Sequence, residues 1–330
     1  LSWYWITQIN TDENENGYPW SLTQPGWINN AAGDGDLNTC WSWFYEGVKR
    51  ANEFLFQVKT IDESVIPANL KNRMMGEAKF LRALSYYFLV SFFGDVPLIT
   101  LPYDPTESAL VEREEASVVL EFVRNDLIEA SNVLPPKSQY SGSDLSRINR
   151  DAAKMLIAKI AMMQNDWTTA KQYVDEIISS DEFELEEDIT KNWDLATEFG
   201  KESIYEISFA EDMTPSLGNV FHNHTAPPTA RNPLTGNSIG GGKWGGAIYN
   251  EFFYNSFPEN DDRKLKLMWD TAYYEEDNDG RYYTSKYWDF ATMDRARAGH
   301  GPVNLVYFRY SGLLLMKAEI ENEINNGPTP

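Results

Sequence analysis

The chain of 330 residues reads as mainly α: a single domain of degenerate helical repeats, covered by long irregular loops with a few short strands. Three observations lead to that reading. Apolar residues recur at helical spacing in six separate segments, the mark of amphipathic helices packed on one another. One segment, residues 80–93, is apolar or aromatic everywhere except Arg82, Ser85 and Ser91. Residues 1–40 and 211–262, by contrast, are punctuated by Gly, Pro and Asn without a sustained period, which is the chemistry of loops. The scaffold is therefore placed at about 41–180 and 307–325, and the ligand-side loops at 1–40 and 196–306.

The helix over residues 67–93 organises the scaffold. Pro67 suits its first turn, Gly94 can take the left-handed cap, and Pro97 cannot continue it. At the usual rise it is roughly 40 Å long. A run this apolar is hydrophobic all round, so the expectation is burial on every side. Met74, Ala78, Leu81, Ser85, Phe88 and Phe92 would stack along one face. The run is shorter than a membrane span and carries Arg82.

The other helices follow in order. Residues 41–61 put Phe44, Val48, Ala51, Leu55 and Val58 on one face, giving a helical hairpin with 67–93. Residues 114–134 are amphipathic through Val118, Phe122, Leu127 and Ala130, and end at Pro135-Pro136. Residues 151–163 and 167–179 form a helix-turn-helix unit with Asp166 as N-cap of its second helix. The entry Asp166-Trp167-x-x-Ala170 resembles the second helix of a tetratricopeptide repeat, but no strict period of about 34 residues runs through the chain. Residues 307–325 supply the last helix through Phe308, the run Leu313 to Met316, Ala318 and Ile320. Short strands are expected at 202–209 and 283–290.

Composition narrows the function. A net charge of -22 repels phosphate backbones and anionic membrane surfaces, which excludes nucleic acid as a partner and leaves a neutral ligand compatible. The single Cys40 makes no internal disulfide. Eleven Trp, 18 Tyr and 17 Phe are a heavy aromatic load, most of it expected in the core, so the aromatics outside helices carry the interest.

Catalytic and cofactor motifs are weak, and no cofactor or metal is expected. His222-x-His224 offers two ligands without a supporting zinc pattern. The run Gly240 to Lys243 fails as a phosphate loop, because Asn237 stands where the first Gly belongs and Trp244 where Ser or Thr would bind magnesium. Asp34-x-Asp36-x-Asn38 and Glu275-x-Asp277-x-Asp279-Gly280 begin like calcium loops, yet lack the closing Glu. A glycoside hydrolase would need two carboxylates about 5 to 9 Å apart on a cleft floor, which spacing alone does not identify.

Several motifs carry a family resemblance. Glu77-Ala78-x-Phe80-Leu81-Arg82-Ala83, Tyr86-Tyr87-Phe88 and Phe93-Gly94-Asp95-Val96-Pro97-Leu98 form a long ordered signature. Trp41-x-x-x-Tyr45, Arg50-Ala51-Asn52-x-Phe54-Leu55, Asp126-Leu127-x-x-Ala130 with Leu134-Pro135, and Arg309-Tyr310-x-x-Leu313-Leu314-Leu315-Met316-x-Ala318-Glu319 accompany it. Together they resemble the SusD/RagB family of surface glycan-binding lipoproteins, over roughly residues 41–325. Two departures stand out: Ser311-Gly312 replaces an acidic residue, and the chain stops at Pro330 where the family continues. The resemblance implies tetratricopeptide-like repeats and non-catalytic binding of oligo- or polysaccharide. It implies delivery to a TonB-dependent, SusC-like transporter at the outer membrane, through a surface-exposed lipoprotein whose lipidated N-terminus and C-terminal segment lie outside this sequence. The alternatives from other classes are a glycoside hydrolase and a tetratricopeptide-type protein-docking module.

Sugars stack their C–H faces on Trp or Tyr and give their hydroxyls to carboxylates and amides. Candidate ligand-binding residues are therefore the loop aromatics Trp20, Trp27, Trp244, Tyr249, Trp269 and Trp288, with Asp34, Asp36 and Asn38 as polar contacts before the first helix. At least two of Trp27, Trp244 and Trp269 are expected to share one exposed concave face. Trp41, Trp43, Trp167 and Trp193 are set aside as helical and hence core.

Overall fold

The computed structural model describes residues 7, 11–16, 35–103, 111–210, 218–221, 225–226, 231–232, 234–237, 247–269, 282–289 and 301–327. In chain order the elements begin with β1 (Asn14–Asn16), α1 (Gly35–Val58), α2 (Ala68–Phe93), β2 (Val96–Pro97), β3 (Arg113–Glu114), α3 (Ala116–Val133), α4 (Arg150–Met163) and α5 (Trp167–Ile178). They continue with β4 (Ser203–Ile207), β5 (Ala247–Tyr249), α6 (Glu251–Ser256), α7 (Asp262–Leu267), β6 (Met268–Trp269), β7 (Tyr282–Thr284), β8 (Leu305–Arg309) and α8 (Tyr310–Asn325). The chain is mainly helical and separates into two compact units. A helical unit comprises Trp41–Leu185, Lys201–Tyr205 and Tyr307–Pro330; a sheet unit comprises Leu1–Cys40, Glu186–Gly200 and Glu206–Val306.

In the helical unit α2 packs on α3, α3 on α4, α4 on α5, and α5 on α8. Phe80, Tyr86 and Leu89, Val119, Val123 and Leu127, and Leu156, Ile157 and Ile160 fill the interior from successive helices, all at or near full burial. The caps are specific. Asn149 accepts from the N–H groups of Asp151 and Ala152 at the start of α4, and its own amide donates to the Ile204 carbonyl at 2.7 Å. Asp166 accepts from the Thr169 N–H at 3.1 Å, as the N-cap expected from sequence. Gly94 ends α2 at φ +66°, a conformation that favours glycine. The segment leaving α2 is then strapped down. Tyr45 donates to the Pro97 carbonyl at 2.8 Å, Asn52 to the Ile99 carbonyl at 2.9 Å, and the Tyr86 hydroxyl accepts from the Ile99 N–H at 2.7 Å.

Two expectations need correction. Helix α2 is not buried on every side: Leu81 is 45% exposed and Phe88 only half-buried, its ring stacked on Phe44 of α1 at 4.9 Å. The buried positions are Gly76, Ala78, Phe80, Arg82, Ala83, Tyr86, Leu89 and Val90, a face rotated from the one read in the sequence. Gly76 marks a tight approach, since a Cβ there would stand 2.7 Å from a Val133 methyl. The last helix starts at Tyr310, because residues 305–309 form a strand paired with β4. Val306, Tyr307 and Phe308 are strand formers, and the Tyr310 N–H donates to the Glu202 carbonyl at 2.8 Å where the ladder hands over to α8.

The sheet unit contains a four-stranded sheet in the order β1-β5-β7-β6. Its described pairings are antiparallel, with Asn14 opposite Tyr249, Ile248 opposite Tyr283, and Met268 opposite Thr284. The strands are only two or three residues long, and side chains reinforce them. The ring of Tyr254 in α6 stacks on Tyr282 of β7 at 3.7 Å, and Lys264 of α7 lies 4.5 Å from the centre of the Tyr254 ring. Among the described residues no helix is long and apolar enough to cross a membrane.

Candidate functional site

A cleft of about 390 Å³ opens in the sheet unit. It is lined by Thr190, Trp193 and Asp194 from the 3-10 turn Ile189–Trp193 and its end, by Lys266 and Leu267 of α7, and by Ser285, Lys286, Trp288 and Asp289 from the turn after β7, with Leu234 beside them. The turn is fixed by its own backbone. The Ser285 N–H donates to the Leu267 carbonyl at 3.1 Å, the Ser285 hydroxyl to the Lys266 carbonyl at 3.1 Å, and the Trp288 N–H to the Ser285 carbonyl at 3.0 Å. Trp288 is buried, and its indole N–H donates to the Thr225 hydroxyl at 3.1 Å, which in turn donates to the Phe221 carbonyl at 2.8 Å. Trp193 is only half-buried, and the Lys286 ammonium stands 5.3 Å from the centre of its ring.

Most charged groups of the wall are already engaged. Lys266 reaches Asp262 at 3.1 Å and Asp188 at 3.2 Å, and the two carboxylates raise its pKa. Asp194 holds Lys191 at 2.6 Å and accepts from the Ala196 N–H at 2.9 Å, which keeps its carboxyl below the usual range. Thr190 donates to Asp188 at 2.9 Å. Among the described residues no carboxylate lies within ion-pair range of the Lys286 ammonium, whose neighbour is the Trp193 ring. Chemically the cleft combines an indole face, an ammonium and the Asp289 carboxylate.

The structure brings only part of the sequence-predicted set to this cleft. Trp288 lines it. Tyr249 is buried in β5 against Phe253 at 5.5 Å, a core position. Trp269 lies in β6, paired with Tyr283 and two residues past the lining residue Leu267. Asp36 and Asn38 sit in the first turns of α1, which begins at Gly35, so they do not precede the helix as expected; neither lines the cleft. Trp20, Trp27, Asp34 and Trp244 lie outside the described residues, as do the three histidines and residues 240–243 and 275–280. Two tryptophans set aside as core behave otherwise. Trp193 lines the cleft, and Trp43 on α1 is 72% exposed. Trp41 and Trp167 do pack against the core.

A second cleft, of about 280 Å³, lies in the helical unit over Asn52, Arg82 and Asp126, with exposed Phe56 and Leu101 at its lining. Its polar floor is internally paired, Arg82 to Asp126 and Asn52 at 2.7 Å each. The sheet unit also holds two carboxylates joined by one residue. Asn304 donates from its backbone N–H to Glu198 at 3.1 Å and from its side chain to Glu206 at 2.9 Å, and Glu206 accepts again from the Phe199 N–H at 3.0 Å. Burial, with Glu206 adding its charge, pushes the Glu198 carboxyl up to about 7. These groups hold backbone segments together and neither lines the cleft.

Comparison with known proteins follows the same lines. Residues 3–162 match the SusD-like profile described as "Starch-binding associating with outer membrane", and residues 266–329 match the SusD family profile. A SusD-like protein of Formosa agariphila, P25, is 28% identical over 321 residues, covering 88% of this chain and 59% of the relative. A SusD-like protein of Bacteroides ovatus is 25% identical over 178 residues, covering 51% of this chain and 32% of the relative. The chain thus spans well under two thirds of either relative. Among solved structures, surface glycan-binding protein A from Bacteroides fluxus superposes with a TM-score of 0.79 at 23% identity, over 97% of this chain and 70% of that one. The Bacteroides thetaiotaomicron protein of the same name, in complex with laminarihexaose, gives 0.71 at 23% identity, over 88% and 65%.

Proposed function

Because the chain belongs to the SusD/RagB family, we propose that it binds oligo- or polysaccharide without cleaving it, at the sheet-unit cleft that Trp193 and Trp288 line. The observation that carries this reading is the pairing of a half-buried indole with an anchored one in a concave, mixed-polarity site. Each stacked ring contributes on the order of 1 kcal/mol, so the cleft favours extended chains over single sugars. Glu198 and Glu206, the carboxylates joined through Asn304, are committed to it and to the Phe199 N–H, which disfavours them as a hydrolytic pair. The family description speaks only of association with the outer membrane; from the resemblance in sequence the proposal extends to a surface lipoprotein that passes glycan to a TonB-dependent, SusC-like transporter.

The binding half is tested by native gel electrophoresis through polysaccharide, beginning with laminarin because a solved neighbour is a laminarin-binding SusD-like protein. Retardation without release of reducing ends supports the reading, and cleavage overturns it. Co-purification of a β-barrel transporter from native membranes tests the delivery half; repeated isolation of the protein alone counts against it.

A further inference from the structure

The cleft carries a charge pattern that a neutral glycan does not use. Lys266, Thr190 and Asp194 already have partners within the unit. Lys286 has no carboxylate among the described residues, although the whole chain carries 50 acidic residues against 28 basic ones. The net charge of -22 disfavours polyanions at long range, but salt screens that repulsion beyond about 10 Å at 0.1 M, and within the cleft an ammonium with no carboxylate partner among the described residues is placed to take a single carboxylate brought by the ligand. Its distance from the Trp193 ring centre, 5.3 Å, leaves both groups within the reach of one sugar ring.

We propose that the cleft recognises an acidic sugar, a uronic acid within a glycan, with the sugar carboxylate on the Lys286 ammonium and the C–H face of the ring against Trp193. Asp289, already partnered within the unit, adds a second carboxylate to the cleft wall. That second carboxylate favours a uronate, which carries one charge and several hydroxyls, over a densely sulfated chain whose anions would meet Asp194 and Asp289. The inference rests on the glycan-binding reading above and narrows it.

The test is native affinity electrophoresis of the whole chain in polygalacturonate, alginate and a glucuronan, each run beside its carboxyl-reduced counterpart and beside laminarin. At least one uronate polymer is expected to bind about tenfold more tightly than its reduced form, the size of one charge-assisted hydrogen bond. Lys286→Gln should bring that ratio near one, and Lys286→Arg should keep it. Equal or tighter binding of every reduced polymer overturns the acidic-sugar inference and leaves glycan binding standing. A preference unchanged in Lys286→Gln overturns the role of Lys286. Failure of every polymer, laminarin included, to retard the wild-type chain overturns the glycan reading itself. The wild-type comparison needs no variant, so a poorly folding Lys286→Gln does not blunt it.

Discussion

Arg82 of α2 grips both carboxylate oxygens of Asp126 on α3, Nε to Oδ2 at 2.7 Å and Nη2 to Oδ1 at 2.8 Å. Both side chains are less than 10% exposed, at 8% and 6%. The remaining guanidinium nitrogen donates to Asn52 on α1, so one side chain ties three helices. Buried charges repay their desolvation only with such geometry, and removing one partner strands the other. Asp126→Asn should therefore cost about 3 to 5 kcal/mol in urea unfolding. An Arg82→Met, Asp126→Leu double variant should recover much of that loss. A double variant no more stable than Asp126→Asn would mean that the pair itself, and not the stranded charge, carries the energy.

The rotated face of α2 makes a second prediction. Phe80 is fully buried, with its ring edge-on to Tyr205 at 5.4 Å, whereas Phe88 is half-buried. Phe80→Ala should cost about 3 to 5 kcal/mol, the range for a buried Phe. Phe88→Ala should cost roughly half as much, because less surface returns to water. Chemical denaturation of both variants decides it, and a costlier Phe88→Ala would restore the face first read from the sequence.

The scaffold was legible because its signal is local. Each helix repeats its apolar residues within a few turns, and the observed ends fall close to the expected ones, as with Trp167–Ile178 against residues 167–179. Phase was harder. In a run as uniformly apolar as residues 80–93 every face reads alike, so nothing distinguished Phe80 from Leu81. The sheet gave no local signal: Asn14 pairs with Tyr249, and strands of two or three residues do not establish a period of two. Trp193 was missed for a related reason. Its turn places it by Asp188 and Asp194 caps, and its neighbour Lys286 comes from a distant part of the chain, so a local helix-or-loop signal assigns it to the core.

Glu198 predicts a pH dependence. Its carboxyl is pushed up to about 7 in the folded chain, against about 4.3 in an unfolded one. The folded state therefore binds the proton more tightly between those values, and this group's contribution to stability falls as pH rises from about 4.3 to about 7, then levels. Discounted for its half-buried position, the effect is on the order of 1 to 2 kcal/mol. Glu198→Gln keeps the acceptor for the Asn304 N–H but removes the charge. Its melting temperature should gain on the wild type as pH goes from 5 to 7.5, and a gap constant with pH would refute the assignment.

The two cleft tryptophans should separate stability from binding. Trp288 is 5% exposed and its indole N–H donates to Thr225, so it is chiefly a wall of the unit. Trp288→Ala would empty a large buried volume and remove the donor to the buried Thr225 hydroxyl, which keeps only its bond to the Phe221 carbonyl, at a cost of about 3 to 5 kcal/mol. Trp193 is half-buried and presents its ring to the cleft beside Lys286. Trp193→Ala should lower stability by about 1 to 2 kcal/mol, less than Trp288→Ala, while weakening retention by the bound polysaccharide at least fivefold, the loss of one stacked ring. Thermal melting and affinity electrophoresis on the same preparations measure both quantities. A Trp193→Ala chain that melts like the wild type and binds glycan equally well would move the site out of this cleft.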